Sequence, residues 1–139
     1  MAELLPEIID DHRHLTGHKH LSLRLEQPVP DCDIHAPLPI VQAAIGNLLR
    51  NAIENSDRGD IRIRLHADAT VVIDDPGHGM SPEEISHLYA QVARGGRDGG
   101  GIGLDLIGRL CEHLGWQLQF ANSPAGGTRT TLRLRPVAG

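Results

Sequence analysis

Two asparagines one helical turn apart are the residues of this chain whose type and spacing most directly suggest chemistry. Asn47 and Asn51 lie in a stretch whose apolar residues recur at helical spacing, so their side chains should share one side of an amphipathic helix. An amide oxygen is a neutral acceptor, and two of them one turn apart could hold a hydrated Mg²⁺ beside phosphate groups. Asparagines that only decorate a solvated helix face look the same in sequence, so the pair alone leaves both interpretations open.

A carboxylate and two glycines follow a short apolar strand further along the chain. Asp75 stands at the strand end, where it could accept a hydrogen bond from an exocyclic amine. Gly77 and Gly79 lack side chains, so a flat ring could lie against the backbone there. A tight turn with an exposed Asp is an equally good interpretation of this segment.

Two further glycine-rich segments could contact a ligand. Residues 99–104 read Gly-Gly-Gly-Ile-Gly-Leu and lead into a helix, whose N-terminal N–H groups suit phosphate oxygens. This segment is neither a Walker loop nor a Rossmann fingerprint, and a flexible linker is the alternative. Thr128 opens the last strand after two glycines, with a hydroxyl that could reach a ligand or only cap the turn.

The elements that must position these residues are predicted from hydrophobic periodicity. Helices are expected near residues 3–12, 41–56, 81–92 and 102–114, and strands near 20–26, 61–67, 70–74, 116–120 and 128–135. A very short strand is expected within 32–35, a turn at 57–60 and irregular chain over 93–101. This order favours an α/β fold in which a mixed sheet carries helices on one face.

Composition and charge limit the classes of function. A chain of 139 residues is expected to form a single domain over 1–139, and with 40% hydrophobic but only 2% aromatic residues its core should be aliphatic. The net charge of −5 argues against nucleic-acid binding. No apolar run approaches the roughly 20 residues that span a bilayer, so direct membrane insertion by this segment is not expected. Cys32 and Cys111 indicate reduced thiols of a cytoplasmic protein, and the histidines between 12 and 20 match no zinc pattern.

The motifs occur in an order that identifies a family. Asn-x-x-x-Asn, Asp-x-Gly-x-Gly, Gly-x-Gly-x-Gly-Leu and Gly-Thr follow one another as in the ATP-binding domain of bacterial sensor histidine kinases, which the chain resembles from about residue 8 to 135. That domain belongs to a superfamily shared with Hsp90, gyrase B and MutL. The resemblance implies a Bergerat-type two-layer α/β sandwich, with a mixed, mostly antiparallel sheet and about three helices on one face. ATP would lie between the layers, under a mobile lid at residues 93–101.

The same resemblance assigns roles to individual residues. Asp75 would read the adenine amine, and Thr128 would support the adenine end. The ATP-binding residues that it implies are Asn47, Asn51, Asp75, Gly77, Gly79, Arg94, Arg97, Gly99, Gly101, Ile102, Gly103, Leu104 and Thr128, with Asn47 and Asn51 on the Mg²⁺ side. Glu54 departs from the pattern, because these kinases often carry a Lys or Arg there that faces phosphate. Arg94 or Arg97 of the lid is the hypothesised replacement. Val92 takes the place of the second aromatic in the family's box of two aromatics and an Arg, which borders the lid.

The resemblance also implies a reaction. The chain would bind Mg-ATP and donate the γ-phosphoryl group to a histidine on a separate dimerisation domain of the same kinase, with a response regulator downstream. None of the nine histidines here has the context of a phospho-acceptor, and residues 1–20 are interpreted as a linker from such a domain. Asn47 cannot act as a base at neutral pH, which argues against an ATPase of the gyrase or MutL type. A stand-alone anti-sigma-type serine kinase and a degenerate nucleotide-binding module are the alternatives, and the expected location is cytoplasmic, as a soluble protein or as the cytoplasmic portion of a membrane-bound sensor.

Overall fold

Alternating apolar residues set the strands of this chain, and apolar residues at helical spacing set its helices. The computed structural model describes residues 4–17, 20–26, 29–30, 32–34, 36–56, 58–77, 79, 81–94, 102–123 and 126–134. The elements are α1 (Leu4–His12), a 3₁₀ turn (Arg13–Thr16), β1 (His20–Leu25), α2 (Leu38–Glu54), β2 (Arg58–Leu65), β3 (Thr70–Asp75), α3 (Pro82–Arg94), α4 (Ile102–Leu114), β4 (Gln117–Asn122) and β5 (Thr128–Arg133). Within 32–35 the described backbone forms only an isolated bridge, at Ile34.

The five strands form one mixed sheet in the order β1-β2-β3-β5-β4. β1 and β2 are parallel, and the remaining pairs are antiparallel. In β2 the side chains alternate, so that Ile61 and Ile63 are buried while Arg62 is exposed on the opposite face. The register pairs Asp75 with Thr128, two positions along from the buried Ile73. Asp75 and Thr128 therefore lie on the face of the sheet that carries the core.

The core lies between this sheet face and the helices. Buried aliphatic residues of α1, α2 and α4 join those of the strands in one cluster, and α3 packs against α4. The two-layer α/β architecture with a mixed, mostly antiparallel sheet is thus confirmed. Along the part of the chain that the structure describes, no helix has the length and apolar character needed to cross a membrane.

The N-terminal segment differs from the linker expected over residues 1–20. Leu5, Ile8 and Ile9 of α1 are at most 1% exposed and belong to the same core as α2. The imidazole of His12 lies so close to α2 that a Cβ on Gly46 would be 2.9 Å from its Cε1. Apolar residues at i, i+3 and i+4 need a surface to bury against, and α2 provides it. At least residues 4–12 are therefore part of the folded domain.

Two predicted boundaries need correction. The turn expected at 57–60 is wrong in its described residues, because β2 begins at Arg58 and its first three residues pair with His20, Leu21 and Ser22 of β1. The irregular chain expected from Ala93 is wrong for its first two residues, because α3 remains helical through Arg94. Residues 95–101, which make up most of the predicted lid, lie outside the described residues.

Candidate functional site

Asp75 is buried in the predicted site and is fixed by backbone hydrogen bonds. Its side chain is on the helix-facing side of the sheet and the residue is only 5% exposed. Oδ1 accepts a hydrogen bond from the N–H of Gly77 at 3.0 Å and another from the N–H of Thr128 at 3.3 Å. Burial raises the pKa of this carboxyl above its ordinary value, and the two backbone hydrogen bonds counteract part of that rise. The carboxyl group is therefore held in one orientation at the end of β3.

The glycines around Asp75 are required by close backbone contacts. A Cβ on Gly127 would overlap the carbonyl oxygen of Asp75, and it would lie 3.0 Å from the backbone nitrogen of Gly77. A Cβ on Gly77 would lie 2.5 Å from the carbonyl oxygen of Asn55, which caps the C-terminus of α2. A Cβ on Gly79 would lie 3.0 Å from Oδ1 of Asn122. Gly77 and Gly79, which were expected to make room for a ligand, thus also let the chain after β3 approach Asn55 and Asn122. Gly127 lets β5 approach β3.

The two asparagines Asn47 and Asn51, here called the amide row, lie in the C-terminal half of α2. Asn47 and Asn51 are both partly buried, beside the apolar face that packs on the sheet. Oδ1 of Asn47 accepts a hydrogen bond from Nη2 of Arg50 at 3.1 Å. The N–H of Asn55 bonds to the carbonyl of Asn51 at 3.1 Å, and Asn55 in turn contacts Gly77. The structure therefore brings Asn51 and the chain that follows Asp75 to the same end of the sandwich.

The remaining predicted site residues are described in part or not at all. Arg97, Gly99 and Gly101 lie outside the described residues. The backbone of Arg94 ends α3, and the backbone of Ile102, Gly103 and Leu104 forms the first turn of α4, as expected for a helix that follows the glycine-rich segment. α4 also packs against α2, which carries the amide row. Thr128 is 3% exposed and opposite Asn122 in the sheet register.

Asn55 and Asn122 are site neighbours that the sequence analysis did not single out. Each contacts one of the glycines that follow Asp75, Asn55 through its backbone and Asn122 through its side chain. Neither residue carries a local signal, because the contacts join segments that are distant in sequence. A cavity of about 500 Å³ borders this region and includes Gly79 and Gly127 in its lining.

A second cavity of about 410 Å³ lies mainly on the outer face of the sheet. Asp74 forms an ion pair there with Arg129, at 2.7 Å to Nε and 3.1 Å to Nη2. Arg64 lies between Asp74, at 3.8 Å, and Glu26, at 3.6 Å. These cross-strand pairs satisfy the charges of an exposed sheet face. The cavity is on the side of the sheet opposite the amide row.

Groups of three or more His, Cys, Asp or Glu side chains that could hold a metal ion do not occur among the described residues. The donors predicted for Mg²⁺ are instead the amide oxygens of Asn47 and Asn51. Amide oxygens are hard, neutral ligands of the kind that Mg²⁺ accepts together with water and phosphate. The donor chemistry of the row therefore fits a hydrated magnesium ion.

Comparison with known proteins places this geometry in a family. A model of the family described as histidine kinase-, DNA gyrase B- and HSP90-like ATPase matches residues 38–138. The chain is 28% identical to sensor protein QseC of Salmonella typhi over 137 residues, which cover 96% of this chain and 30% of that protein. It is 31% identical to sensor protein TorS of Escherichia coli K12 over 99 residues, which cover 68% of this chain and 11% of that protein. The chain thus spans less than a third of the length of these relatives.

Solved structures share the fold. The ATP-binding domain of PrrB from Mycobacterium tuberculosis superposes with a TM-score of 0.72 at 23% identity, covering 99% of this chain and 94% of that one. Full-length ShkA in complex with AMPPNP has a TM-score of 0.80 at 17% identity, covering 99% of this chain and 31% of that one. The fold and the family resemblance read from the motifs are both confirmed: the chain belongs to the histidine kinase-, DNA gyrase B- and HSP90-like ATPase family.

Proposed function

We propose that this chain is the catalytic ATP-binding domain of a sensor histidine kinase, which binds Mg-ATP and donates its γ-phosphoryl group to a histidine on a separate dimerisation domain of the same kinase. The observation that carries the proposal is the buried Asp75 carboxyl, held by two backbone N–H groups at the same end of the sandwich as the amide row of α2. A buried carboxylate of this kind is suited to a ligand that donates a hydrogen bond to it.

The adenine end of the proposed site is formed by Asp75 and its neighbours. Both backbone hydrogen bonds end on Oδ1, so Oδ2 is the oxygen that would accept a hydrogen bond from the exocyclic amine. An amine donating to a carboxylate forms a charge-assisted bond, which is stronger than a bond between neutral groups. Gly77 and Gly79 have no side chains, so the adenine ring could lie close to the backbone there. The hydroxyl of Thr128 would support the edge of the ring.

The magnesium side is assigned to Asn47 and Asn51. Asn51 lies in the last turn of α2, where the aligned peptide dipoles place a partial negative charge, and Glu54 adds a full one. This end of the helix therefore favours a cation. A bound Mg²⁺ would neutralise charge on the phosphates, while the amide oxygens would fix its position relative to the sheet.

The phosphate end is assigned to the first turn of α4 and the predicted lid. The N–H groups of Ile102, Gly103 and Leu104 are among the free donors of a helix N-terminus, which suits phosphate oxygens. We propose that Arg94, Arg97, Gly99 and Gly101 complete this side within a lid at residues 93–101.

Phosphoryl transfer then depends on positioning rather than on a covalent step by this domain. Asn47 has no basic group that could activate water, which favours transfer to an acceptor over hydrolysis. The relatives are named sensor proteins and sensor histidine kinases, which supports a phospho-acceptor histidine in the same kinase and a response regulator downstream. The serine kinase alternative has no corresponding support.

Calorimetric titration with Mg-ADP tests the adenine contact. Asp75→Asn keeps an oxygen that can accept from Gly77 and Thr128, but it loses the charge-assisted bond, which contributes about 1.5–3 kcal/mol. We expect ADP affinity to fall about 10- to 100-fold. Asp74→Asn is the matched control, because its carboxylate lies next in the chain on the opposite sheet face and pairs with Arg129. Equal affinities for the wild type and Asp75→Asn would remove Asp75 from the site.

Transfer itself is tested by mixing the chain and radiolabelled Mg-ATP with the dimerisation domain of the same kinase. Label on a histidine of that domain supports the proposal. Nucleotide binding without any transfer would instead favour the degenerate module that acts through protein contacts.

A further inference from the structure

Arg50 makes a contact that the proposed function does not use. Its Nη2 donates to Oδ1 of Asn47 at 3.1 Å, although the arginine itself is exposed. Arg50 is also the only basic residue in α2. The one positive charge of this helix is therefore directed at the amide oxygen that is assigned to the magnesium side.

The positive charge of Arg50 would offset negative charge at the C-terminal end of α2. Asn51 lies in the last turn of α2, at the negative end of the helix dipole, no basic residue stands in that turn, and Glu54 adds a negative charge. Phosphate groups brought to this surface would be repelled unless cations lie between. Mg²⁺ supplies two positive charges, whereas a nucleoside triphosphate carries up to about four negative charges, so a further positive charge on α2 would add to that of the proposed lid arginines.

Helix geometry places Arg50 where it can supply that charge. At about 100° per residue, Arg50, Asn47, Asn51 and Glu54 fall within about 100° of arc on one side of α2. A long guanidinium side chain can swing over this arc without moving the helix. Its present partner is the oxygen that a magnesium ion would take, and two cations on one amide oxygen repel each other. Binding of Mg-nucleotide would therefore release the guanidinium next to the phosphates.

We propose that Arg50 is a positioning residue for the β- and γ-phosphoryl groups, which holds Asn47 in place without nucleotide and pairs with phosphate oxygens when Mg-nucleotide is bound. The guanidinium matches the planar arrangement of two phosphate oxygens, which an ammonium group matches less well. This proposal rests on the proposed function of the site.

Calorimetric titration with AMP, Mg-ADP and a magnesium complex of an unhydrolysable ATP analogue tests this role. Arg50→Gln keeps a donor for Asn47 but removes the charge. We expect it to weaken binding of the ATP analogue about 3- to 10-fold, to weaken ADP less and to leave AMP unchanged, because the effect should grow with phosphate charge. Arg50→Lys should recover part of the affinity. The loss should also shrink at high salt.

Arg13→Gln is the matched control, since Arg13 is an exposed helix-end arginine whose Nε donates to Asp10 three residues away at 2.8 Å. It should change none of the three affinities. Unchanged affinity of Arg50→Gln for the ATP analogue, or an equal loss for AMP, would overturn the proposed role of Arg50. If the wild type itself binds no nucleotide, the proposed function fails and this inference fails with it, so the two failures are distinguished by the wild-type titration.

Discussion

The closest backbone approach in the site leads to a prediction about two neighbouring glycines. Gly126 and Gly127 both have positive φ, at 93° and 85°. A Cβ on Gly127 would overlap the carbonyl oxygen of Asp75, whereas a Cβ on Gly126 would meet nothing within 4 Å. Gly127→Ala therefore adds a steric clash to backbone strain, and Gly126→Ala adds backbone strain alone.

The two contributions can be separated in magnitude. The left-handed conformation costs an alanine about 1–2 kcal/mol, and the stiffer unfolded chain returns about 0.4–1 kcal/mol. Gly126→Ala should therefore lower the free energy of unfolding by about 1 kcal/mol. Overpacking costs a further 1–3 kcal/mol or so, so Gly127→Ala should lower it by about 2–4 kcal/mol. Relief of the clash separates β5 from β3 and lengthens the bond from Thr128 N–H to Asp75, so ADP affinity should also fall.

Urea unfolding followed by far-ultraviolet circular dichroism measures the stability of both variants, and titration with Mg-ADP measures the site. Gly126→Ala should bind ADP like the wild type. If the two variants lose the same stability and both keep their ADP affinity, then β5 does not pack tightly against Asp75 and does not orient its carboxyl group.

The remaining predictions concern Asn51 and Asp75. Asn51→Ala should weaken binding of ADP with Mg²⁺ far more than binding without it, because the lost oxygen is assigned to the metal; equal losses would mean a structural role. Because burial raises the pKa of Asp75 in the folded chain, the unfolded chain loses this proton first as pH rises. Stability should therefore fall as pH rises from the ordinary value of 3.8 through the raised one, and stay lower above it. Asp75→Asn should lack this fall in urea midpoints measured across the same pH range, and a fall of the same size in both proteins would contradict the burial of the charge.

Much of the fold could be predicted from the sequence because its signals are local. Ser81 caps α3 through contacts close in sequence: its hydroxyl accepts from the N–H of Glu84 at 3.2 Å, and the carboxylate of Glu84 accepts from the N–H of Ser81 at 3.3 Å. α4 runs from Ile102 to Leu114, as its apolar spacing predicted. A cap, an apolar period or a run of alternating residues depends only on neighbours in the chain.

Residues with distant partners could not be placed in this way. Arg58 to Asp60 look like a turn in sequence, yet they form a strand because β1 supplies the hydrogen-bonding partner. The apolar residues of α1 were compatible with a linker helix until α2 was seen to cover them. Pairing and burial are settled by contacts between remote segments, which no local pattern contains.

The candidate site also has features that depend on the local sequence and features that depend on contacts between distant segments. Residue types and spacing alone determined that Asn47 and Asn51 share one side of a helix and that Asp75 stands at a strand end, because both follow from backbone periodicity. Only the tertiary structure decided that Gly77 packs against the end of α2, that Gly127 admits no side chain, and that the charge of Arg50 meets Asn47. Those contacts depend on how closely separate elements approach and on which rotamer a long side chain adopts, and both are set by packing in three dimensions.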